Sequence, residues 1–279
     1  MTTVLDILDK GTAYLEKRGI DEARRNMQML VAHHLDCTRM ELYVRFDEPI
    51  EESKLEPLRE ALRKRGEGIP VQHLIGSVFF RNHEFKVDAR ALIPRPETEE
   101  LAEWLAKNLE LGSSARILDM GCGSGVLGLS LAHDFPEAQI TLADISPDAL
   151  ALARENAAMI EEAQTAGFIE SDLFGAIPDD KPFDLIVANL PYVPENEDIA
   201  REVRHDPALA LFSGPDGLDL IRRFVPEAAK RLAPGGTLAM EIGIGQFSEV
   251  EALLRAASLT DVLTLKDLSG IPRFPIAKR

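Results

Sequence analysis

From Pro96 onward the sequence alternates short apolar runs with amphipathic stretches, and this alternation constrains the fold more than any other feature. A helix over about 96–110 precedes the strand "ARILDM", a glycine loop and the helix "VLGLSLAHDF". Strand "QITLAD", helix "SPDALALARENAAMI", strand "AGFIES" and strand "FDLIVAN" follow, then helix "GLDLIRRFVPEAAKRL", strand "GTLAMEI" and helix "FSEVEALLRAA". Strands separated by helices pair in parallel, because a parallel return needs a crossover long enough for a helix. The expectation is an α/β fold with a mostly parallel sheet covered on both faces. In such sheets ligands bind beyond the carboxyl ends of the strands, so the residues that follow each strand are the ones to read.

The first strand runs into "ILDMGCGSGVLG". Gly121, Gly123 and Gly125 are spaced G-x-G-x-G, a pattern that permits positive φ and close backbone approach by a ligand. A dinucleotide fingerprint needs G-x-G-x-x-G, and position 126 is Val. A pyrophosphate would use the helix N-terminus as an anion site. Asp119, two residues ahead of the first glycine, suits instead a ligand with an ammonium group. The loop Gly121, Cys122, Gly123, Ser124 and Gly125 is therefore expected to bind S-adenosylmethionine, with Cys122 as a small packing residue. Asp144, ending the second strand, can accept from both hydroxyls of a ribose. Asp172, after the third strand in "SDLF", can accept from an adenine amine while Leu173 packs on the ring. The competing reading makes these acids helix N-caps. It fits Asp148 best, in the first turn after Pro147.

The fourth strand ends at Asn189, followed by Leu190, Pro191 and Tyr192. Asn189 is placed to face the cofactor's methyl group, and its amide carbonyl is a fixed acceptor. The Leu190 carbonyl is a second acceptor, since Pro191 biases the residue before it to an extended conformation. Two acceptors can grip an NH2 group and aim its nitrogen lone pair, and Tyr192 can stack on a planar target. The corner thus suits methylation of an amide or an exocyclic base amine. An amide nitrogen is a poor nucleophile, so proximity and alignment are expected to contribute most. No histidine is required. Of the six, only His205, in the irregular stretch 191–215, is a candidate for a part. A loop of that length in a compact domain is usually functional or disordered.

The first part of the chain reads differently. Val4, Ile7, Leu8 and Leu15, then Ala23, Met27, Leu30 and Val31, recur at helical spacing, with Asp21 an expected N-cap. Leu42 to Val44 suggest a third helix and "EESKLEPLREALRKRGEG" a fourth that stops at its glycines. "VQHLIGSVFFRNHEFKVDARALIP" alternates, with a turn signal near Asn82, and reads as a hairpin. Residues 1–87 hold 14 Lys+Arg and 15 Asp+Glu, whereas residues 88–279 hold 17 and 32, so nearly all of the net charge of −16 lies in the second part. Such a surface repels a phosphate backbone at long range. Cys37 and Cys122 sit in unlike contexts, which argues against a disulfide framework. No run of about 18 apolar residues suggests a membrane span, and the N-terminus lacks the apolar stretch of a signal peptide. A cytoplasmic location is the expectation.

Taken together, the motifs resemble those of the protein-(glutamine-N5) methyltransferases that modify peptide chain release factors. The resemblance covers nearly the whole chain: "IPRPETEEL" at 93–101, "ILDMGCGSG", "SDLF", and "EVRHDPALALFSGPDGLDLIRRF" at 202–224. It implies a Rossmann-like seven-stranded methyltransferase sheet over residues 93–279. A helical substrate-docking domain over 1–68 and a β-hairpin linker over 69–92 would precede it. It also implies S-adenosylmethionine as cofactor, no metal, and the glutamine of a release factor's Gly-Gly-Gln as substrate. Asn189, Leu190, Pro191 and Tyr192 would form the catalytic and substrate-binding corner. The family's motif is typically Asn-Pro-Pro-Tyr, and Leu190 departs from it. Asn-Leu-Pro-Tyr also resembles adenine N6-methyltransferases acting on RNA, so an amino-methyltransferase acting on adenine in RNA or DNA is the alternative. A non-catalytic binding module is a third reading, which intact Asn189, Pro191 and Tyr192 oppose.

Overall fold

The computed structural model describes residues 2–279. The chain divides into two compact units. One runs up to Ser77 and includes Ala200–His205; the other comprises Val78–Ile199 and Asp206–Arg279.

The first unit is helical. Helix α1 (Val4–Lys17) starts at a capping box in which Thr3 and Asp6 satisfy each other's backbone N–H. Helix α2 (Ala23–Leu35) follows a turn that puts Glu22 at φ 49°, and Glu22 is the residue at its N-cap. The expected cap, Asp21, instead offers its backbone carbonyl to the Asn26 amide at 3.0 Å. The left-handed turn moves the helix start on by one residue. The expected third helix is a single 3-10 turn, Glu41–Val44. Helices α3 (Glu52–Gly66) and α4 (Val71–Ile75) complete the unit, the latter taking the first residues of the stretch expected to be hairpin. Leu8, Leu15, Met27, Leu30 and Leu42 are buried in one cluster, each side chain contributing roughly 1.5–3 kcal/mol by burial. A Cβ on Gly11 would lie 2.2 Å from the Met27 sulfur, so glycine there lets α1 and α2 approach closely. Arg65 is fully buried, with its Nε on Asn26 Oδ1 at 2.7 Å and its guanidinium paired with Glu202.

The second unit begins at Val78, inside the hairpin of β1 (Ser77–Phe80) and β2 (His83–Lys86), which turns at Arg81 with φ 51°. Phe80 and Phe85 are buried in the same cluster as the sheet's first strands. Helix α5 (Pro96–Asn108) begins with proline in its first turn and acids at Glu97 and Glu99, as the helix dipole favours. There follow β3 (Arg116–Met120), α6 (Val126–Leu131), β4 (Gln139–Asp144), α7 (Pro147–Ala157), β5 (Gly167–Glu170) and β6 (Phe183–Ala188). The chain closes with α8 (Asp219–Arg231), β7 (Leu232–Met240), α9 (Phe247–Ala256), β8 (Thr260–Lys266) and β9 (Pro272–Lys278).

Among the described residues seven strands form one sheet in the order β5-β4-β3-β6-β7-β9-β8. β9 is antiparallel to both its neighbours, and the other pairings are parallel. Neither β8 nor β9 is among the elements read from the sequence; in β9, Pro272 and Pro275 argue against strand. Strand order reverses between β3 and β6, the place where such sheets leave a crevice. The pair Met120↔Ala188 ends their register, so Gly121 and Asn189 leave the sheet side by side. The irregular segment beyond Asn189 is closed at its base, where Val193 bridges to Phe212 and the Ser213 N–H donates to the Val193 carbonyl at 3.0 Å. Among the described residues no helix is long and apolar enough to cross a membrane.

Candidate active site

At the reversal point lies a cavity of about 430 Å³. Its floor is the loop after β3. Gly121, Gly123 and Gly125 have φ of 69°, 54° and 84°, which is why each is glycine. The turn is tied to the next strand by the Gly121 and Cys122 N–H groups, which donate to the Ala143 carbonyl at 2.7 and 3.1 Å. Asp119, Gly121, Cys122, Gly123 and Ser124 line the cavity. Gly125 does not: a Cβ there would meet Leu129 Cδ1 at 2.8 Å and Leu142 Cδ2 at 3.0 Å, so this glycine serves the packing of α6 on the sheet. The Cys122 thiol is buried and its pKa is pushed up by that burial, as befits a packing residue rather than a nucleophile.

Asp119 is 1% exposed. Its Oδ2 accepts from the Gly128 N–H at 2.8 Å, and among the described residues no basic side chain pairs with it. Burial, with the Asp144 charge nearby, raises its pKa to about 7 against the pull of that N–H. Asp144, at the end of β4, accepts from the Gly123 N–H through Oδ2 and the Ser146 N–H through Oδ1, both at 2.9 Å. Burial raises its pKa as well. The two carboxylates are thus held rigidly and lack a cation, an arrangement suited to a ligand with hydroxyls and a positive charge. Ser146, not an acid, caps α7, and Asp148 lies in the first turn as expected.

On the next strand end, Leu173 takes φ 48°, a left-handed conformation costing about 1–2 kcal/mol in a non-glycine residue. The Ser171 hydroxyl stabilises it by donating to the Leu173 carbonyl at 2.6 Å and accepting from the Ala176 N–H at 2.9 Å. Leu173 and Asp172 line the cavity, the Asp172 carboxylate also receiving Arg223 at 2.7 Å.

Asn189, Leu190 and Pro191 form the opposite wall. The Leu190 side chain is buried, and its Cδ2 sits 2.8 Å from where a Cβ on Gly121 would be. The residue that departs from the family motif therefore packs on the first glycine of the floor. Tyr192, expected to stack on a planar target, is placed otherwise. It does not line the cavity; it packs against the core between the sheet and α8, and its hydroxyl donates to Glu241 Oε1 at 3.0 Å. Burial raises the phenol's pKa, so it keeps the proton it donates.

Three residues that sequence reasoning did not single out, Thr98, Glu241 and Gln246, hold this wall. The Thr98 hydroxyl donates to Glu241 Oε2 at 2.6 Å and accepts from Asn189 Nδ2 at 3.1 Å. The Gln246 amide donates to the Tyr192 carbonyl at 2.9 Å. Arg95 lines the cavity and is paired with the buried Asp206 at 2.7 Å. Glu241 carried a readable signal, a lone carboxylate ending the apolar run "GTLAMEI"; it is 1% exposed, and burial raises its pKa while Thr98, Tyr192 and Arg273 oppose the shift. Thr98 carried none, since it reads as part of a helix start. His205 lies in the 3-10 turn Val203–His205 and, like the other histidines, does not line the cavity.

A reversed α/β sheet with this cleft is the architecture of Rossmann-like methyltransferases, and the enzyme is of that class. A 16S rRNA methyltransferase of T. thermophilus, solved with AdoMet and guanosine, superposes with a TM-score of 0.52 at 23% identity over 73% of this chain and 49% of that one. A methyltransferase from Pyrococcus furiosus gives 0.50 at 16% identity over 70% and 87%. Family profiles described as "PrmC N-terminal domain" and "Methyltransferase small domain" match residues 6–76 and 97–214. Proteins named release factor glutamine methyltransferase are similar along nearly their whole length. That of Deinococcus radiodurans is 38% identical over 98% of each chain, and that of Mycolicibacterium smegmatis 38% over 100% of this chain and 99% of its own. The chain belongs to the release factor glutamine methyltransferase family.

Proposed function

We propose that the protein methylates the side-chain amide nitrogen, N5, of the glutamine in the Gly-Gly-Gln tripeptide of peptide chain release factors, in the cytoplasm. The observation that carries this reading is the register at Met120↔Ala188, which opens the Asn189 corner and the glycine loop into one cavity. S-adenosylmethionine, when bound, supplies an electrophilic methyl on a sulfonium. The residues present fit it: Gly121 and Gly123 admit a ligand against the backbone, and Asp119 offers a desolvated carboxylate without a cation. Asp144 would hold the ribose hydroxyls, while Asp172 and Leu173 would border the adenine. Asn189 Oδ1 and the Leu190 carbonyl would accept from the substrate NH2. Holding both hydrogens leaves the nitrogen lone pair directed at the methyl, and orientation of this kind can supply about 7–11 kcal/mol of a barrier. Pro191 would stiffen the corner, and Tyr192, tied to Glu241, would anchor it from behind.

The acidic second part of the chain, 17 Lys+Arg against 32 Asp+Glu over residues 88–279, disfavours a nucleic acid substrate. Incubation with methyl-labelled S-adenosylmethionine and, separately, release factors and total RNA tests the reading. Mass spectrometry should place the methyl on the tripeptide glutamine. Label on RNA adenine with none on the glutamine would replace this reading by the nucleic acid one.

A further inference from the structure

With Glu241 ionised, the state its two hydroxyl donors favour, the buried chain Asn189–Thr98–Glu241–Tyr192 has only one arrangement of protons. Glu241 receives two hydroxyls, Thr98 on Oε2 and Tyr192 on Oε1. A hydroxyl has one proton to give. Thr98 spends its proton on Glu241 and so presents only lone pairs to Asn189, 3.1 Å away. Only the NH2 end of the Asn189 amide can face those lone pairs; the flipped amide would set oxygen against oxygen in a site where Thr98 is 3% exposed and Glu241 1%. The carbonyl end is then the one left for a ligand.

We infer that Thr98 and Glu241 are positioning residues that fix which end of the Asn189 amide meets the substrate, and so make the site select a glutamine over a glutamate. This rests on the amide-methylating function proposed above. A glutamine presents NH2 donors to the Asn189 carbonyl, whereas a glutamate presents only acceptors and meets like against like. Sites built around one hydrogen-bond polarity reject the reversed partner because buried groups are left unpaired. Thr98→Val removes the hydroxyl at nearly constant volume and frees the amide to flip. Glu241→Gln gives Thr98 a partner that can donate as well as accept, which removes the fixed direction without removing the side chain.

The test uses the full chain with a release factor as substrate, and as competitor the same release factor with its tripeptide glutamine replaced by glutamate. In Thr98→Val, kcat on the glutamine form should fall by about 10- to 100-fold, and inhibition by the glutamate form should tighten by about tenfold or more, the size of one repaired buried hydrogen bond. Affinity for S-adenosylhomocysteine should be retained. Glu241→Gln should shift the glutamine-to-glutamate preference in the same direction, and Thr98→Ser, which keeps the hydroxyl, should restore it. A Thr98→Val protein that loses activity with its glutamine-to-glutamate preference intact overturns the inference, because Thr98 would then be a packing residue. Failure of the unmodified protein to methylate the release factor overturns the functional reading itself, a separate outcome seen before any variant is made.

Discussion

The glycine loop at 121–125 and the corner at 189–192 leave neighbouring strands side by side, yet they are held by different kinds of contact. The loop is shaped by its own sequence and by the next strand along the chain: positive-φ glycines, the Ala143 carbonyl, and Asp144 on the Gly123 N–H. The corner has no such local support. Thr98 lies 91 residues from Asn189, while Glu241 and Gln246 lie 49 and 54 residues from Tyr192. A ligand floor can be written into a short motif, whereas a wall that orients a reacting group needs rigid elements from several parts of the chain.

The sharpest way to separate the two walls is Asn189→Ala. Turnover should drop about 10³-fold, as when a preorganised polar group is removed from a reacting site, while calorimetry finds cofactor affinity intact. Equal losses of both would merge the two walls into one.

A second comparison sets Gly217→Ala against Gly121→Ala. Both positions have positive φ, 77° and 69°. A Cβ at 217 would lie 2.0 Å from the Tyr192 carbonyl oxygen, which is backbone, whereas at 121 it meets the end of the Leu190 side chain at 2.8 Å. Gly217→Ala should cost about 3 kcal/mol or more in denaturant unfolding and Gly121→Ala about 1–2 kcal/mol. The reverse order would show that the corner yields more easily than the loop.

Asp119 gives the loop a pH signature. Its pKa rises from 3.8 to about 7 on folding. Below that window the carboxyl is protonated in both states. As pH rises through it the unfolded chain loses the proton first, so the carboxyl's contribution to stability declines and levels off above about 7. At about 1.4 kcal/mol per unit the loss is a few kcal/mol. Asp119→Asn should flatten that component of the stability–pH curve without ligand; an identical slope in the variant would remove the argument.

Leu190→Pro should have the smallest effect. The backbone carbonyl survives, and what is lost is part of the packing on Gly121, about 1 kcal/mol of stability. Turnover should stay within about tenfold of the original, which at 1.4 kcal/mol per decade matches that loss. A larger fall measured in steady-state kinetics would mean that the leucine contact couples the two walls.

Much of the second unit is legible in the sequence, because β3 to β7 and their helices each carry a clear period and end near the expected residues. The exceptions have local causes. Pro272 and Pro275 obscure β9, and the left-handed Glu22 displaces the cap of α2. In the site, the acids at the ends of β3 and β4, the Asp172 turn and the Asn189 corner could be read because strand ends are where ligands bind. The partner of Tyr192 is not legible, since sequence gives the aromatic but not the distant carboxylate that receives its hydroxyl. The six residues Ala200–His205 are grouped with the helical unit by contacts such as Arg65 with Glu202, across 137 positions, which no local pattern encodes.

By itself the sequence determined the parallel sheet and the glycine loop, because strand period and glycine spacing are local properties, and its motifs resemble one family along nearly the whole chain. Only the tertiary structure decided which way the Asn189 amide points. That choice depends on the single proton of Thr98, and Thr98 meets Asn189 and Glu241 only once the sheet has brought α5, β6 and β7 together.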